Sequence, residues 1–500
     1  MNPFIRFSGA ILMLLSLIQA PSLHAQEQLG MRFERFAGLN GATLNPAQSA
    51  FMPHPWEVNL VGADVFFENN YCYVTNAGVF RVLRHSNEII QLTDTSDASQ
   101  PFSSGDMRLG YFSNRQWMRG VVQTRISGPG FAMRIGENHV VGISTALRGQ
   151  SSSYEVPECL RADKLEARKR FDPLFVTPLN AGVLTWGEVG LHYSYRQAGD
   201  AFTLAVGVSP KLLLGYEAGF VRSSDNLEFC WTQLDSMSFS SGNWDIAMTT
   251  GNLDPAGQMS ANGNITTGGI SPQLNGYGAG LDFGVVLAAP GYDGETDEDY
   301  CWRVGVSLID FGLIRFNRRA EHHNFSFDTT HVISGLEFSD QRDPQEVIDM
   351  ANMYFLGKYG ESLEAEKFTA ALPSAVVVQV DYRIVPNVFA GAVWVQRTPL
   401  TKFAVKRVNT LSILPRYETR WLSVSAPVTL SDWQSVRFGL AARLGWLTIG
   451  TDNLNSFFRQ DKFTGSDFYI GIKINGWKQP FYNGTAMNRR TSRHIPCFRF

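Results

Sequence analysis

The 500-residue chain has no excess of either charge, since 43 Lys and Arg face 46 Asp and Glu. This balance indicates neither a basic surface for nucleic acid nor an acidic disordered tail. Beyond the N-terminus, charged residues, Asn or Gln interrupt every apolar run before it reaches the ~18 residues that a membrane-spanning helix requires. We therefore expect neither a nucleic-acid-binding protein nor a helical membrane protein of several spans.

Cysteines and catalytic motifs are also scarce. The five cysteines lie far apart and none forms a C-x-x-C pair, so the sequence indicates neither a disulfide framework nor a zinc site. Most cysteines are expected to be ordinary thiols, with one local pair as the main exception. No G-x-S-x-G, H-E-x-x-H, Walker or dinucleotide-binding motif occurs. We therefore expect a protein that is not an enzyme and that holds no cofactor or metal.

The first 25 residues have the pattern of a secretory signal peptide. Arg6 lies in a short N-terminal region, an apolar stretch runs from Ala10 to Ile18, and Ala25 precedes polar residues. A short N-terminal anchor helix is the alternative, but the apolar stretch is closer in length to a signal peptide than to a membrane span. The chain is therefore expected to be exported.

The rest of the chain is rich in residues typical of strands and turns. It contains 46 Gly, 35 Phe, 16 Tyr and 11 Trp. From Trp56 onward apolar residues alternate with small or polar ones, which is the period of a β-strand. In 187–195, for example, Val189 and Leu191 share one face while Glu188 and His192 share the other.

The same alternation recurs along the chain and predicts an all-β protein of about 14 strands, with a range of about 12 to 18. The clearest strands are 187–195, 202–208, 277–285, 302–308, 376–383 and 437–444. Further candidates are 57–67, 71–83, 106–112, 117–127, 130–137, 139–148, 227–239, 243–250, 322–338, 388–398, 407–425, 446–451 and 466–474. A few short helices are expected in insertions, one beginning at Asp343-Pro344-Gln345-Glu346 and a weaker one in 158–170.

Alternation alone does not separate a soluble sandwich from a membrane barrel. The export signal, the number of strands and the second face favour the barrel, because that face carries Gly, Ala, Ser and opposite charges rather than the Lys, Glu and Thr of a solvated sheet. Aromatic residues near strand ends, such as Trp56, Trp302 and Trp394, fit the girdles of an outer-membrane barrel. We therefore predict a transmembrane antiparallel β-barrel in the outer membrane of a Gram-negative bacterium, in contact with outer-membrane lipid.

Several ionisable residues fall on the predicted interior face. Opposite charges there either pair across the lumen and narrow it, or line a path for a solute. The candidate lumen-lining or ligand-binding residues are Arg125, Arg134, Glu188, His192, Asp282, Arg303, Asp381, Arg437 and Arg443.

Two isolated groups could suggest chemistry. His192 and Ser194 share a face with Glu188, but residues i and i+2 of one strand do not reach each other, so a hydrolytic triad is not expected. His322 and His323 are adjacent and would point to opposite faces of a strand, so they cannot chelate one metal together.

Some segments resemble a known family. They are Gly38-Leu39-Asn40, Asn45-Pro46-Ala47, Trp56 to Leu60, Gly305 to Gly312, Arg437 to Gly445 and Ile449 to Asn453. Together they resemble an uncharacterised Bacteroidota family, domain of unknown function 5723. The resemblance implies an outer-membrane β-barrel similar to fatty-acid-transporter-like and type IX secretion barrels, and it supplies no catalytic residues.

The resemblance also suggests how the chain is divided. In such relatives a segment like Asn45-Pro46-Ala47 lies near an N-terminal hatch, so 26–55 is expected to be either a hatch containing Asn45 and Pro46 or a periplasmic lead-in. Residues 56–476 would form the barrel. Residues 477–500 would form a C-terminal tail, whose last residue Phe500 is typical of outer-membrane barrels although the last convincing strand ends near residue 474.

Two functions from different classes fit this sequence. The first is a barrel that passes or holds a hydrophobic or small solute. The second is a structural partner in a larger membrane-protein complex for secretion, gliding or outer-membrane assembly.

Overall fold

The computed structural model describes residues 28–85, 90–91, 106–112, 118–156, 174–176, 179–199, 201–223, 227–233, 236–250, 273–290, 300–334, 344–458 and 460–476. The predicted signal peptide, the helix candidate 158–170 and the predicted tail lie outside these residues. The described helices are short: α1 (Leu29–Arg32), α2 (Leu39–Ala42), α3 (Val79–His85) and α4 (Pro344–Ala351), with 3-10 turns at Pro46–Phe51 and Leu454–Phe457 and a π-helical turn at Asn352–Leu356. Within this part of the chain, no helix has the length and apolar character needed to cross a bilayer.

Strands dominate the structure and are numbered in chain order. The first are β1 (Trp56–Asn69), β2 (Cys72–Val74), β3 (Ile90–Gln91), β4 (Arg108–Tyr111), β5 (Arg119–Ser127), β6 (Gly130–Ile135), β7 (His139–Tyr154), β8 (Leu174–Val176), β9 (Asn180–Ala198), β10 (Thr203–Ser223), β11 (Leu227–Gln233), β12 (Ser236–Thr249) and β13 (Gly276–Pro290). The rest are β14 (Tyr300–Phe316), β15 (Ala320–Phe327), β16 (His331–Ser334), β17 (Leu363–Ala365), β18 (Phe368–Ala371), β19 (Ala375–Val385), β20 (Val388–Arg397), β21 (Thr410–Glu418), β22 (Leu422–Ser425), β23 (Val428–Ser431), β24 (Ser435–Phe438), β25 (Leu440–Leu444), β26 (Leu447–Thr451) and β27 (Gly465–Gly476).

The main sheet closes on itself. β1 pairs antiparallel with β27, from Trp56 opposite Gly476 to Glu68 opposite Gly465, and on its other side with β5 and β6. When β5–β6, β12–β13, β14–β15, β18–β19, β22–β23 and β24–β25 are each taken as one interrupted strand, and the peripheral strands β8, β11, β16 and β17 are set aside, the barrel has 14 strands. The prediction of an antiparallel barrel of about 14 strands with a few short helices is confirmed. Among the described strands of the barrel wall, closure leaves no free edge, as a lipid environment demands.

The two ends of the barrel differ. At one end, neighbouring strands join through short turns, such as 136–138, 386–387 and 445–446. At the other end the connections are long, such as 70–118 and 328–367. We call these the short-turn end and the long-connection end. At the latter, β10 changes partner from β13 to β12, and β12, β15 and β17 continue the sheet beyond the barrel as an extension.

The two faces of the barrel wall also differ. Outward-facing residues are large and apolar, and many are exposed, including Leu191, Leu204, Leu212, Phe283, Val306, Leu411 and Ile413. The intervening residues point inward and are buried, among them Glu188, His192 and Ser194 on β9 and Ser209 and Lys211 on β10. The period-2 pattern therefore separates an apolar exterior from a polar interior.

Some sequence predictions are corrected. The strand predicted for 71–83 is only β2, followed by α3, because Val79 and Val82 lie three residues apart and pack as one helical face on the cluster around Phe463. The strand predicted for 407–425 divides into β21 and β22, since Thr419 and Leu422 bond to each other across a turn. The helix predicted after Asp343 is confirmed as α4.

Two cysteines in the described part of the chain, Cys72 and Cys301, differ in state. Cys301 is disulfide-bonded, so a pair forms that the cysteine spacing did not indicate. Cys72 is free, and burial raises the pKa of its thiol to about 11. A thiol with so high a pKa is a weak nucleophile at neutral pH, which gives Cys72 no catalytic character.

Candidate functional site in the barrel lumen

The N-terminal segment, residues 28–55, lies inside the barrel. It contains α1, α2 and the 3-10 turn Pro46–Phe51, and no residue from Gln28 to Pro55 is exposed. The 3-10 turn packs against β9, β10 and β13, whereas α1 packs against β25 and β26. The segment therefore bridges opposite sides of the wall and fills the lumen towards the short-turn end.

Glycines on the interior face make room for the segment. A Cβ atom on Gly207 would collide with the backbone of Pro46 and Ala47, and one on Gly284 would collide with the side chain of Asn45. Asn45 caps the 3-10 turn by accepting a hydrogen bond from Ala47 N (3.0 Å), and its Nδ2 donates to Val285 O (3.4 Å). The glycine face that the sequence shows on these strands is the surface on which Asn45 and Pro46 rest.

Charged wall residues hold the segment in place. Arg443 Nε donates to both carboxylate oxygens of Glu34 at 3.0 Å. Arg303 donates to Phe33 O at 2.8 Å, and Lys473 donates to Ala37 O at 3.0 Å. Arg134 donates to Met52 O. These hydrogen bonds and ion pairs add to apolar contacts that Leu29, Leu44 and Phe51 make with the wall.

An aromatic ring of the segment contacts two cationic groups of the wall. Phe33 is contacted by the guanidinium groups of Arg303 and Arg416, with Cζ 5.3 Å and 4.8 Å from the ring centroid. Both arginines pair with Asp381, at 3.0 Å and 2.8 Å. Cation–π contacts strengthen when they are desolvated, so this arrangement ties the N-terminal segment to β14, β19 and β21.

A larger charged cluster crosses the lumen deeper in the barrel, and we call it the ionic layer. Asp310 accepts bonds from Arg148 (2.7 and 2.9 Å), Lys211 (2.9 Å) and Arg407 (2.6 Å). The layer also contains the pairs Lys211–Asp282 (2.7 Å), Arg125–Glu188 (2.9 Å) and Arg148–Glu188 (3.2 Å). Its four cations and three carboxylates are all buried, so pairing is what offsets the cost of removing them from water.

Asp310 enters the layer because β14 is irregular at this point. The register between β13 and β14 shifts from Leu281↔Phe311 to Phe283↔Leu308, and Asp310 adopts a left-handed backbone with φ of 53°. The irregularity reverses the alternation, so Ile309 and Asp310 are both buried. Asp310 N in turn donates to Asp282 Oδ1 at 2.7 Å.

Beyond the ionic layer, towards the long-connection end, the interior becomes apolar. We call this cluster the apolar layer: Leu184, Trp186, Leu213, Ala218, Phe220, Ala247, Ile314, Phe316, Ala320, Phe368, Ala370, Leu372, Phe403 and Val405. Phe316 and Phe368 stack with ring centroids 5.0 Å apart. Arg148 lies over the Trp186 ring at 4.7 Å and joins the two layers.

A small polar cavity lies beside the N-terminal segment. It is bounded by the segment and by the break between β5 and β6 at Ser127-Gly128-Pro129-Gly130. Its lining includes Arg32, Asn40, Asn59, Arg125 and Ser144. Among the described residues, Asn59 Oδ1 has no hydrogen-bond partner. The segment and the wall therefore do not pack completely here.

The structure brings some of the predicted site residues together and separates others. Arg125, Glu188 and Asp282 belong to the ionic layer, and Arg303 pairs with Asp381. Arg443 and Arg134 instead contact the N-terminal segment, and Arg437 lies apart, 3.4 Å from Glu68. Sequence reasoning missed further members of these clusters, namely Lys211, Arg148, Asp310, Arg407 and Arg416.

The histidine candidate is not part of a hydrolytic triad. His192 Nε2 lies 2.7 Å from Ser144 Oγ and His192 Nδ1 lies 2.7 Å from Ser209 Oγ. Ser194 contacts Ser49 at 2.9 Å instead. Both ring nitrogens are thus used by hydroxyl groups, so His192 connects β7, β9 and β10 and no carboxylate orients it.

Comparisons with known proteins identify one family. The model of a family of unknown function (DUF5723) matches residues 50–452. No curated protein matches the chain in sequence.

Solved outer-membrane structures are also similar in fold. The toluene transporter TodX of Pseudomonas putida is 10% identical, with 86% of this chain and 92% of that chain covered and a TM-score of 0.36. A Pseudomonas aeruginosa FadL homologue is 8% identical, with 90% and 98% covered and a TM-score of 0.27. The translocator domain of autotransporter NalP from Neisseria meningitidis is 8% identical, with 88% and 96% covered and a TM-score of 0.30. These values are too low to indicate a shared ligand or mechanism.

Proposed function

This chain belongs to the DUF5723 family of unknown function, and we propose that it is a non-enzymatic outer-membrane β-barrel that passes or holds a hydrophobic or small solute. In this proposal the N-terminal segment is a hatch that closes the barrel until it is displaced. The observation that carries the proposal is that residues 28–55 occupy the lumen of a closed barrel with an apolar exterior.

The exterior supports placement in a membrane. Trp433 lies in the turn after β23 at the long-connection end, and Trp446 lies in the turn after β25 at the short-turn end, both more than half exposed. β24 and β25 between them cover about 10 residues, which at ~3.3 Å per residue and a tilt of ~40° corresponds to about 25 Å. That height matches the apolar band of outer-membrane barrels, whose aromatic girdles lie at its two borders.

The polar part of the contact between the segment and the wall supports a hatch rather than a permanent core. Its ties to the wall include the Arg443–Glu34 pair and the bonds from Arg303 and Lys473 to its backbone. Water can replace such bonds when the segment moves, whereas exposing a fully apolar interface to water has no equivalent compensation. The cavity beside the break between β5 and β6 is where such a movement meets least resistance.

The interior supports the proposed solute class. A hydrophobic solute that entered from the long-connection end would meet the apolar layer with its aromatic rings. A small polar solute would be accommodated beside the hydroxyl, amide and guanidinium groups around the cavity. The arrangement of His192 with Ser144 and Ser209, which lacks an orienting carboxylate, is the reason that no hydrolytic activity is included.

One observation favours the alternative of a structural partner in a secretion, gliding or outer-membrane assembly complex. At the long-connection end, Phe80 and Leu83 on α3 and the nearby Phe458 are each more than half exposed. Exposed apolar groups beyond the membrane are more typical of a protein interface than of a channel rim. In that case the closed lumen would be a permanent feature.

Bilayer conductance distinguishes these functions. We expect the purified full-length chain to migrate faster on gels when unboiled, as folded barrels do, and to show little conductance in planar bilayers. Glu34→Gln removes the ion pair with Arg443 and should produce more frequent open events. Glu137→Gln, in the exposed turn before β7, is the matched control and should behave as the wild type.

The other outcomes are equally informative. A folded but silent barrel in both variants, co-purifying in fixed ratio with a membrane complex, would support the structural alternative. A chain whose mobility does not depend on boiling would contradict the membrane barrel itself.

A further inference from the structure

Three metal-ligating side chains converge at the long-connection end, where His322 packs edge-on against Phe403 at the border of the apolar layer. Asp245, His322 and Glu364 each offer one ligand atom, and these atoms lie within 4.8 Å of one another. We propose that they form a binding site for a divalent transition-metal ion of the Zn²⁺ class, which ties together the three strands of the extension. This site is independent of the proposed transport function.

The sheet register explains why two of the three side chains meet. Ala247 on β12 pairs with His322 on β15. Asp245 precedes Ala247 by two residues and therefore lies on the same face of the sheet as His322. His322 Nε2 is 3.2 Å from Asp245 Oδ1, while His323 points to the other face and contacts Ser362 and Glu321.

A β-bulge supplies the third ligand. In the pairing of β15 with β17, His322 lies opposite Ala365 but His323 lies opposite Leu363. Glu364 is the extra residue of this bulge, and bulges commonly redirect a side chain. Its carboxylate lies 3.2 Å from His322 Nδ1.

The donor set and its exposure suit a transition-metal ion. One imidazole and two carboxylates are ligands that Zn²⁺ accepts, and three protein ligands leave a position for water. The Asp245 and His322 side chains are 14% and 12% exposed, and Glu364 is 53% exposed. The first two are therefore held by the sheet, whereas the third can rotate to complete the coordination.

A lysine beside the site competes with the metal ion for Asp245. Lys402 Nζ lies 3.1 Å from both carboxylate oxygens of Asp245. The ammonium group occupies the same anionic site that a cation would use, yet the side chain is 43% exposed and can swing into solvent. With Lys402 included, the two carboxylates still leave the group negatively charged, which attracts a divalent cation.

Titration with Zn²⁺ tests the proposal. The full-length chain, with any histidine tag removed, would be titrated with Zn²⁺ in detergent micelles by calorimetry. We expect one site in the wild type, and loss of a ligand in His322→Ala or Glu364→Gln should weaken it by at least about tenfold, since even groups outside the ligand set change metal affinity by roughly that factor. Lys402→Met should tighten binding because it removes the competing ammonium group.

Glu361→Gln is the matched control. Glu361 is a similarly exposed carboxylate three residues from Glu364, and it pairs with Lys358 rather than with the cluster. The affinity of the Glu361→Gln variant for Zn²⁺ should equal that of the wild type. Glu364 is exposed, so its substitution should leave the barrel folded, as boiling-dependent gel mobility would verify. Absence of saturable Zn²⁺ binding, or equal affinity in the wild type and Glu364→Gln, would overturn the proposal.

Discussion

The ionic layer and the apolar layer fill the same barrel by different physical means. β10 passes through both: its interior face carries Gly207 against the N-terminal segment, Lys211 in the ionic layer, and Leu213 and Phe220 in the apolar layer. In the ionic layer, the charge of each side chain must be opposite to that of its partner. In the apolar layer, the size of each side chain must match the volume left by its neighbours.

The two layers should therefore tolerate different substitutions. A buried ion pair adds little net stability, but removing one partner leaves a buried charge uncompensated. An apolar cluster loses stability in proportion to the volume that is removed. Removal of a charge without a change in shape should therefore destabilise the ionic layer. In the apolar layer, a change in side-chain volume without a change in polarity should be destabilising.

The largest effect is expected from Asp310→Asn in the ionic layer. The substitution hardly changes the side-chain shape but leaves Arg148, Lys211 and Arg407 without their shared carboxylate. We expect a loss of about 3–5 kcal/mol in the free energy of unfolding. Denaturant titration of the barrel in lipid vesicles would measure it. Asp328→Asn, at an exposed position, is the control; an equally small change in both variants would mean that pairing does not govern this layer.

A smaller effect is expected where the N-terminal segment meets the wall. Gly284→Ala would force a Cβ atom into Asn45, and overpacking of this kind costs about 1–3 kcal/mol. If the segment moves as proposed, part of that strain should be measured as increased conductance.

Gly280→Ala on the same strand is a closely matched control for this experiment. A Cβ atom there would meet its nearest neighbour at 3.5 Å, which is ordinary contact. Both stability and conductance should stay close to wild type. If the two alanine variants behaved alike, contact between Asn45 and the glycine face would not be what closes the barrel.

The smallest effect is expected from Ile314→Val in the apolar layer. Ile314 is fully buried, and loss of one methylene group at such a site typically costs about 0.5–1.5 kcal/mol. Conductance should not change, because no contact with the N-terminal segment is lost. A change in conductance larger than that of Gly284→Ala would show that the apolar layer, rather than the segment, acts as the gate.

Sequence analysis identified residues of the interior face but not the residues with which they pair. Strict alternation placed Arg303 and Asp381 on that face, and the structure pairs them directly across neighbouring strands. Asp310 was missed because the bulge in β14 reverses the alternation at that residue. Arg407 was missed for another reason: it stands at the start of the strand predicted over 407–425, whereas in the structure it lies in the connection between β20 and β21.

The metal-ligating cluster shows the same limit more sharply. Asp245, His322 and Glu364 are far apart in the chain, so no ligand spacing indicated a site. In the sequence, His322 and His323 stood out only because they are adjacent. In the structure their side chains lie on opposite faces of β15. A bulge, which the sequence pattern does not reveal, decides that Glu364 joins His322.

The sequence by itself determined the period of the strands, their approximate number and the apolar exterior, because these follow from the local alternation of side chains on a pleated backbone. Only the tertiary structure decided how the lumen is filled. Glu34 and Arg443 are separated by 409 residues, and such a pair depends on closure of the barrel and on the position of the N-terminal segment within it. Interior contacts of this kind join distant residues through the fold, so no local pattern records them.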